Sequence, residues 1–412
     1  MRAGRSAPGR RRSAFPTARS DVDFGIDEPT RELLADARQI GRTEARPAGL
    51  EADRNGAPLP PDHGYFTRFV ARGDGRTRWP GPEGDRREQG PRRTTVQSLL
   101  LAEEGAYWDR GIGVANPGVG LPEGNVLGMG TEEQKQRFLG AFLELDRPRW
   151  ACFAMTEPGA GSDAAAIRTQ ARKDGDGWIL NGAKCFIGNA SRSDWILVQA
   201  TLDPTKGRAA QRAFFVERDT PGLGGFKIEK KMGLKAYEST SFLLDDCRVP
   251  ASHLLGGEKP HEGKAGFKTA MRTFNAGRPV IAANAVGIGR AALDEALAFA
   301  RTHERTGDAR VRDRLEAMAR KLRMARLMCL RAGWLADREQ PNLVEASMSK
   351  AIAAQVGQEA TTLGMELIGT VGARGDHLIE KLYRDVKAMD IVEGTGQVQR
   401  MIISRSLVQL PR

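Results

Sequence analysis

Glu393 is the residue whose setting most suggests chemistry. It stands in Ile391-Val392-Glu393-Gly394-Thr395, between an apolar pair and a glycine. The amphipathic stretch HLIEKLYRDVKAMD precedes it and the apolar run MIISRSLVQL follows. Glycine loses more backbone entropy on ordering than other residues, so Gly394 predicts a helix break with the acid at a joint between two helices. A carboxylate works as a general base when it is held close to the proton it removes and its pKa is tuned by burial. Ile391 and Val392 could supply that burial, and the small Gly394 and Thr395 would let a flat ligand approach. On residue types alone, a helix cap or a salt-bridge partner is the commoner role of such a glutamate.

A second candidate is TEPGAGSDAA, Thr156 to Ala165, which contains GxGxxA after an apparent strand. A dinucleotide fingerprint needs a helix directly after it, because the helix N-terminus holds the pyrophosphate. The residues that follow alternate as a strand and end in a hairpin, which disfavours that reading. Two readings remain open: a mobile Gly-rich turn, or a loop whose bare amides and Thr156 and Ser162 hydroxyls approach a flat, anionic cofactor. GGEKPHEGKA, Gly256 to Ala265, imitates a phosphate loop, but its glycine spacing is one too long and no Ser or Thr follows Lys264. The histidines at 63, 253, 261, 303 and 377 do not pair at metal-ligand spacing with one another or with a cysteine, so no metal site is expected.

Three textures must position these residues. From about Thr30 to Leu145, helical stretches alternate with Gly/Pro-rich loops. Thr131, followed by acids, reads as a helix start. Asp74 to Arg93 reads as a long polar loop. From Trp150 to Leu255 the chain reads as short strands joined by Asp-Gly and Asn-Gly turns, which predicts an antiparallel sandwich or barrel. From about Ala265 to Leu410, long amphipathic helices in series read as a bundle, with Pro279 near the start of the first, where a proline costs little. The fold class is α+β, in the order α, β, α. The expected divisions are 1–22 as a basic disordered arm, 23–148 helical, 149–258 β and 262–412 a helical bundle.

The 412 residues include 40% hydrophobic and 28% charged residues, ordinary for a globular protein. No apolar run approaches membrane-spanning length. Cys152, Cys185, Cys247 and Cys329 form no CxxC and read as reduced thiols in a cytoplasmic protein. The net charge is +11, and Met1 to Ser20 carries six arginines and no acid, leaving +5 for the rest. The arm lacks the apolar segment of a secretory signal; it reads as a disordered arm, a transit-like segment or residues upstream of the true start. A basic balance suits nucleotides, coenzyme A or nucleic acid without choosing between them.

FAMTEPGAGSD, LNGAKCFIGNA, FNAGRPVIAANAVGIGRAALDEALAFA and LYRDVKAMDIVEGTGQVQR, in this order, resemble the acyl-CoA dehydrogenase family of flavoproteins. GTEEQKQRFL and the span from EKKMGLKA to DDCRVP also fit. The resemblance runs from about Leu100 to the C-terminus, with a weaker tail back to Asp23. It implies an N-terminal helical domain, a middle β-barrel-like domain and a C-terminal four-helix bundle, assembled as a homotetramer or a dimer. It further implies FAD, an acyl-CoA substrate oxidised to a trans-2-enoyl-CoA in fatty-acid β-oxidation, and an electron-transfer flavoprotein as acceptor. Glu393 matches the family's base. Phe153, Met155, Thr156, Gly161 and Ser162 match the loop against the flavin, with Ser162 also reaching the CoA side. Thr395 and Gln397 match flavin contacts after the base. Asn275, Arg278, Gly394 and Arg405 match substrate or active-site contacts. Gly277 stands where some branches keep an alternative base.

The chain departs from the family pattern in three places. Phe186-Ile187-Gly188 replaces Phe/Trp-Ile-Thr and removes a hydroxyl near flavin N5. The Arg-x-x-Phe-Gly motif and its following glutamine are lost, leaving Arg305 as the candidate cofactor contact across subunits. Glu366-Leu367-Ile368-Gly369-Thr370 replaces Gln-x-x-Gly-Gly; an acid facing a pyrophosphate is unfavourable, so either the geometry differs or FAD is held loosely. The alternatives are an acyl-CoA oxidase, a non-catalytic nucleic-acid-associated relative, and a homologue that folds without FAD. The retained Glu393 argues against the nucleic-acid reading.

Overall fold

The computed structural model describes residues 26–82, 93–258 and 265–408. The expected basic arm, residues 83–92 of the expected long loop and residues 259–264 of the imitation phosphate loop lie outside the described residues.

The first helical part holds α1 (Glu28–Ile40), α2 (Arg46–Asn55), α3 (Gly64–Ala71), α4 (Thr95–Ala115), α5 (Pro122–Met129) and α6 (Glu132–Leu139). Asp27 caps α1, its carboxylate accepting from Thr30 N at 3.0 Å. Thr131 caps α6 as its sequence predicts, in a reciprocal box with Gln134. Helix α4 breaks at Asp109, which has φ −163° and ψ 111°. The Asp109 carboxylate accepts from Ile112 N at 2.9 Å, so it restarts the helix as a cap just before Arg110.

The middle part is one curled seven-stranded sheet: β1 (Ala151–Ala154), β2 (Gln170–Asp174), β3 (Gly177–Gly188), β4 (Trp195–Thr201), β5 (Gln211–Glu217), β6 (Leu223–Ile228) and β7 (Ser239–Pro250). Its order is β1-β4-β2-β3-β7-β6, with β5 on β4. The β2–β3 hairpin closes with Asp174 opposite Gly177, and Gly175 takes φ 58° in its two-residue turn. The sheet is mixed rather than purely antiparallel. Strand β1 runs parallel to β4, and β2 also meets β4 in parallel. The β2–β3 hairpin lies between β1 and β4 in sequence, a connection long enough for a parallel return. Leu180, Ile196, Val198, Phe214, Val216, Phe242 and Leu244 fill one face. All four cysteines are buried and unpaired.

The last part holds α7 (Ala265–Thr302), α8 (Ala309–Asp337), α9 (Leu343–Ile368), α10 (Leu378–Asp385) and α11 (Gly396–Leu407). Helices α7, α8 and α9 pack together, and α10 with a short 3₁₀ turn (Val386–Asp390) supplies a fourth side. Pro279 is not near the helix start; α7 begins at Ala265, so Pro279 lies in its interior. There it removes one helical donor, leaving the carbonyl of residue 275 without its usual partner one turn before Arg278 and Pro279. Helix α4 lies against α7. Lys381 Nζ lies 2.6 Å from Asp109 Oδ2 and 2.5 Å from Asp385 Oδ2, and Asp385 Oδ1 accepts from Leu234 N at 2.6 Å. This buried charge cluster joins α4, the segment before β7 and α10, the helix that leads to Glu393. Among the described residues, no helix is long and apolar enough to cross a membrane.

Candidate active site

The joint expected at Glu393 is present. After the 3₁₀ turn the chain leaves helical geometry, and α11 restarts at Gly396 with Thr395 as its cap. The Thr395 hydroxyl accepts from Val398 N at 3.3 Å and keeps its own proton free to donate elsewhere. Two successive residues are left-handed, Glu393 at φ 54° and Gly394 at φ 90°. For a glutamate this backbone is strained by about 1–2 kcal/mol, so surrounding contacts must hold it.

Those contacts converge on the Gly394 carbonyl. Lys350 Nζ of α9 donates to it at 2.6 Å, and Gln399 Nε2 of α11 at 2.9 Å. The Glu393 side chain turns the other way, toward α7. A Cβ placed on Gly277 would overlap Glu393 Oε2 and lie 2.9 Å from its Cδ. The absent side chain at Gly277 is what makes room for the carboxylate.

Glu393 Oε2 is buried without a hydrogen-bond partner among the described residues. Burial holds the Glu393 pKa above the usual carboxylate range, and the charges of Arg110, Lys350 and Arg278 pull it back. These cations come from α4, α9 and α7. Arg278 is buried, and its Nε and Nη1 have no partner among the described residues; Arg110 Nε is likewise unpartnered. A desolvated carboxylate with an open oxygen and a raised pKa is suited to accepting a proton.

The sheet presents a second surface. A register shift between Lys184 and Ile187 in the β3–β7 pairing leaves Phe186 left-handed at φ 58° and 69% exposed, unusual for so large an apolar side chain. Lys184, on the inward face of β3, donates to Met155 O at 3.0 Å, Glu157 Oε1 at 2.8 Å and Gln199 O at 2.6 Å. Glu157 also accepts from Arg168 N and Thr169 N at 2.6 and 3.0 Å. The Gly-rich loop is thus anchored by a buried ion pair. It is followed by a 3₁₀ turn (Ala164–Ala166) and β2, which excludes the dinucleotide fingerprint.

Comparison with known proteins matches both halves of this arrangement. The models "Acyl-CoA dehydrogenase, middle domain" and "Acyl-CoA dehydrogenase, C-terminal domain" match residues 152–247 and 264–408. A protein of Mycobacterium leprae named "Probable acyl-CoA dehydrogenase fadE25" is 34% identical over 398 residues, 94% of this chain and 97% of that protein. The chain belongs to the acyl-CoA dehydrogenase family. Butyryl-CoA dehydrogenase from Megasphaera elsdenii shares its fold with a TM-score of 0.82 and 29% identity, over 94% of this chain and 100% of that one. A glutaryl-CoA dehydrogenase from Mycobacterium smegmatis, solved with FADH2, shares the fold at TM-score 0.80 and 24% identity, over 94% of this chain and 97% of that one. Membership makes the chain an oxidoreductase of acyl-CoA thioesters and implies a flavin cofactor.

The acyl-CoA dehydrogenase pattern distributes the remaining candidates unevenly. Phe153 lies half-buried on β1, Met155 and Thr156 are half-buried at the loop entrance, and Gly161 and Ser162 are exposed at its tip. Gly188 is half-buried, with Tyr237 and Val114 at ordinary contact distance from where a Cβ would stand. Gln397 and Arg405 are exposed on α11. Asn275 lies on the first part of α7, where side chains are outside the described residues. Arg305, Glu366, Gly369 and Thr370 gather at the far end of α9, where Arg305 Nη1 donates to Leu367 O at 3.0 Å. From Lys350 to Glu366 is about 24 Å along a helix, so this group lies away from Glu393. Glu366 is paired with Arg314, which offsets the charge of the acid that stands in place of the family's glutamine. Sequence reasoning missed Arg110, Lys184 and Lys350. A lysine alone among small residues, as in SMSKAIAAQ, was the available signal for Lys350.

Proposed function

We propose that this chain is an FAD-dependent acyl-CoA dehydrogenase in which Glu393 is the base. The observation that carries this is the open, buried Glu393 Oε2 set against Gly277 and faced by Arg278. Glu393 takes the α-proton of the acyl thioester, and the trans-2-enoyl-CoA forms as the β-hydrogen leaves. FAD, when bound, supplies the acceptor for that hydrogen as a hydride at N5. The Glu393 backbone N–H donates to the thioester oxygen, making the α-proton more acidic. Thr156, Thr395, the Gly-rich loop and the exposed face of Phe186 would hold the flavin. Ser162, Asn275, Arg278, Gly394 and Arg405 would hold the acyl-CoA. The 69% exposed Phe186 and the unpartnered Arg278 N–H groups support a flat polar ligand between sheet and bundle. An electron-transfer flavoprotein is the proposed acceptor of the electrons. A homo-oligomer, tetramer or dimer, would bring Arg305, Gly369 and Thr370 to a neighbouring cofactor.

The test is a visible spectrum of the purified protein, before and after anaerobic addition of a panel of acyl-CoAs. A flavin band that bleaches with one of them supports the reading. A protein that stays colourless after FAD is added overturns it. Rapid recolouring in air would instead favour an oxidase.

Two substitutions probe the geometry. Gly277→Ala pushes the carboxylate aside, and a misplacement of about 1 Å costs about 10²-fold in rate. Stopped-flow flavin reduction should show that loss with flavin content unchanged. Gly188→Thr restores a hydroxyl where space exists for its Cβ. A new hydrogen bond to flavin is expected to tighten FAD about tenfold; fluorescence titration of the stripped protein measures it.

A further inference from the structure

Lys350 is wholly buried on α9. No carboxylate among the described residues forms an ion pair with it; its hydrogen bond goes to a neutral carbonyl, Gly394 O, at 2.6 Å. An ammonium group taken out of water without a direct counter-ion is costly, so its retention here asks for a reason. Packing does not supply one, since a methionine would fill the same space. Its position does. Gly394 is the exit of the left-handed pair that carries Glu393, and the charge of Lys350 also acts on the Glu393 carboxylate.

We infer that Lys350 is a positioning residue for the base: it locks the Glu393–Gly394 turn through the Gly394 carbonyl and keeps the Glu393 carboxylate ionised. The inference rests on Glu393 being the base of the proposed reaction. The groups that face Lys350 are Asp390 from the 3₁₀ turn, Glu393 from the joint and Arg278 from α7, with Gln399 of α11 sharing the carbonyl. The charge of Arg110 of α4 also acts on Glu393. Burial lowers the Lys350 pKa to about 8, so the charge is present at neutral pH and is lost as pH rises through that value. A mutation that deletes the charge leaves Glu393 with two opposing cations instead of three. Its pKa must then rise, because desolvation is less offset.

The experiment uses the flavin-loaded protein as wild type, Lys350→Met and Lys350→Gln. Glutamine keeps a donor for the carbonyl without the charge; methionine keeps neither. The protonated-carboxyl infrared band of Glu393, assigned by its loss in Glu393→Gln, is followed against pH. Its midpoint is expected to move up by about one unit in both variants. The acid limb of kcat/KM for flavin reduction should move with it, and the plateau rate should fall further in Lys350→Met than in Lys350→Gln. An unmoved midpoint in both variants overturns the inference, as does a lower rate at every pH with an unmoved limb, which a purely structural role would give. A moved midpoint in a protein whose flavin no acyl-CoA bleaches would instead overturn the proposed function and leave the action of Lys350 on Glu393 standing. A protein bleached by acyl-CoA with an unmoved midpoint would do the reverse.

Discussion

Glu393→Gln should slow flavin reduction by acyl-CoA by on the order of 10²–10⁴-fold while flavin and acyl-CoA binding persist. Glutamine keeps the size of the side chain and so still fits against Gly277, but it cannot take a proton. It also changes the local charge. Arg110, Lys350 and Arg278 face this position, and without the carboxylate all three lose an opposing negative charge. The added positive field should favour the anionic ligand, so binding should be equal or tighter. Flavin absorbance on adding acyl-CoA separates the two effects: a perturbed but unbleached band is expected. Normal bleaching in the variant would sink the base assignment.

Lys184→Met is expected to destabilise the protein by about 3–5 kcal/mol, the usual effect of removing one partner from a buried ion pair. Lys184 is fully buried and Glu157 nearly so, and both Met155 O and Gln199 O lose a donor in the variant. The damage falls on the loop proposed to lie against the flavin. Thermal unfolding should show a lower midpoint, and flavin should be released at lower temperature than the protein unfolds. The double variant Lys184→Met/Glu157→Gln should recover part of the loss, because no unpaired charge remains buried. A single variant as stable as wild type would show that water replaces Lys184 at no cost.

The joint at Glu393 was legible because its signals are local; its proposed role as the base came from the family resemblance, since residue types alone favour a cap or a salt-bridge partner. An apolar pair and a glycine around one acid predict a joint, and the structure puts a helix end and a new cap there. The Thr131 cap and the β2–β3 turn were legible for the same reason, since each depends on neighbours within a few residues. The anchoring of the Gly-rich loop was not. Its sequence shows glycines and a hydroxyl, but Lys184 arrives from a strand 27 positions away.

Local residue patterns alone determined the α, β, α order, the joint at Glu393 and the failure of the dinucleotide reading, since backbone entropy, capping and strand alternation act over short spans. Tertiary structure decided what surrounds the base. Arg110, Arg278 and Lys350 belong to three helices and meet around one carboxylate only when α4 and α9 both pack on α7. It also decided that β1 and β4 run parallel, that Pro279 sits inside a helix and that Glu366 is matched by Arg314. Desolvation and opposing charge set the proton affinity of Glu393, and both depend on which distant side chains packing brings within a few ångströms.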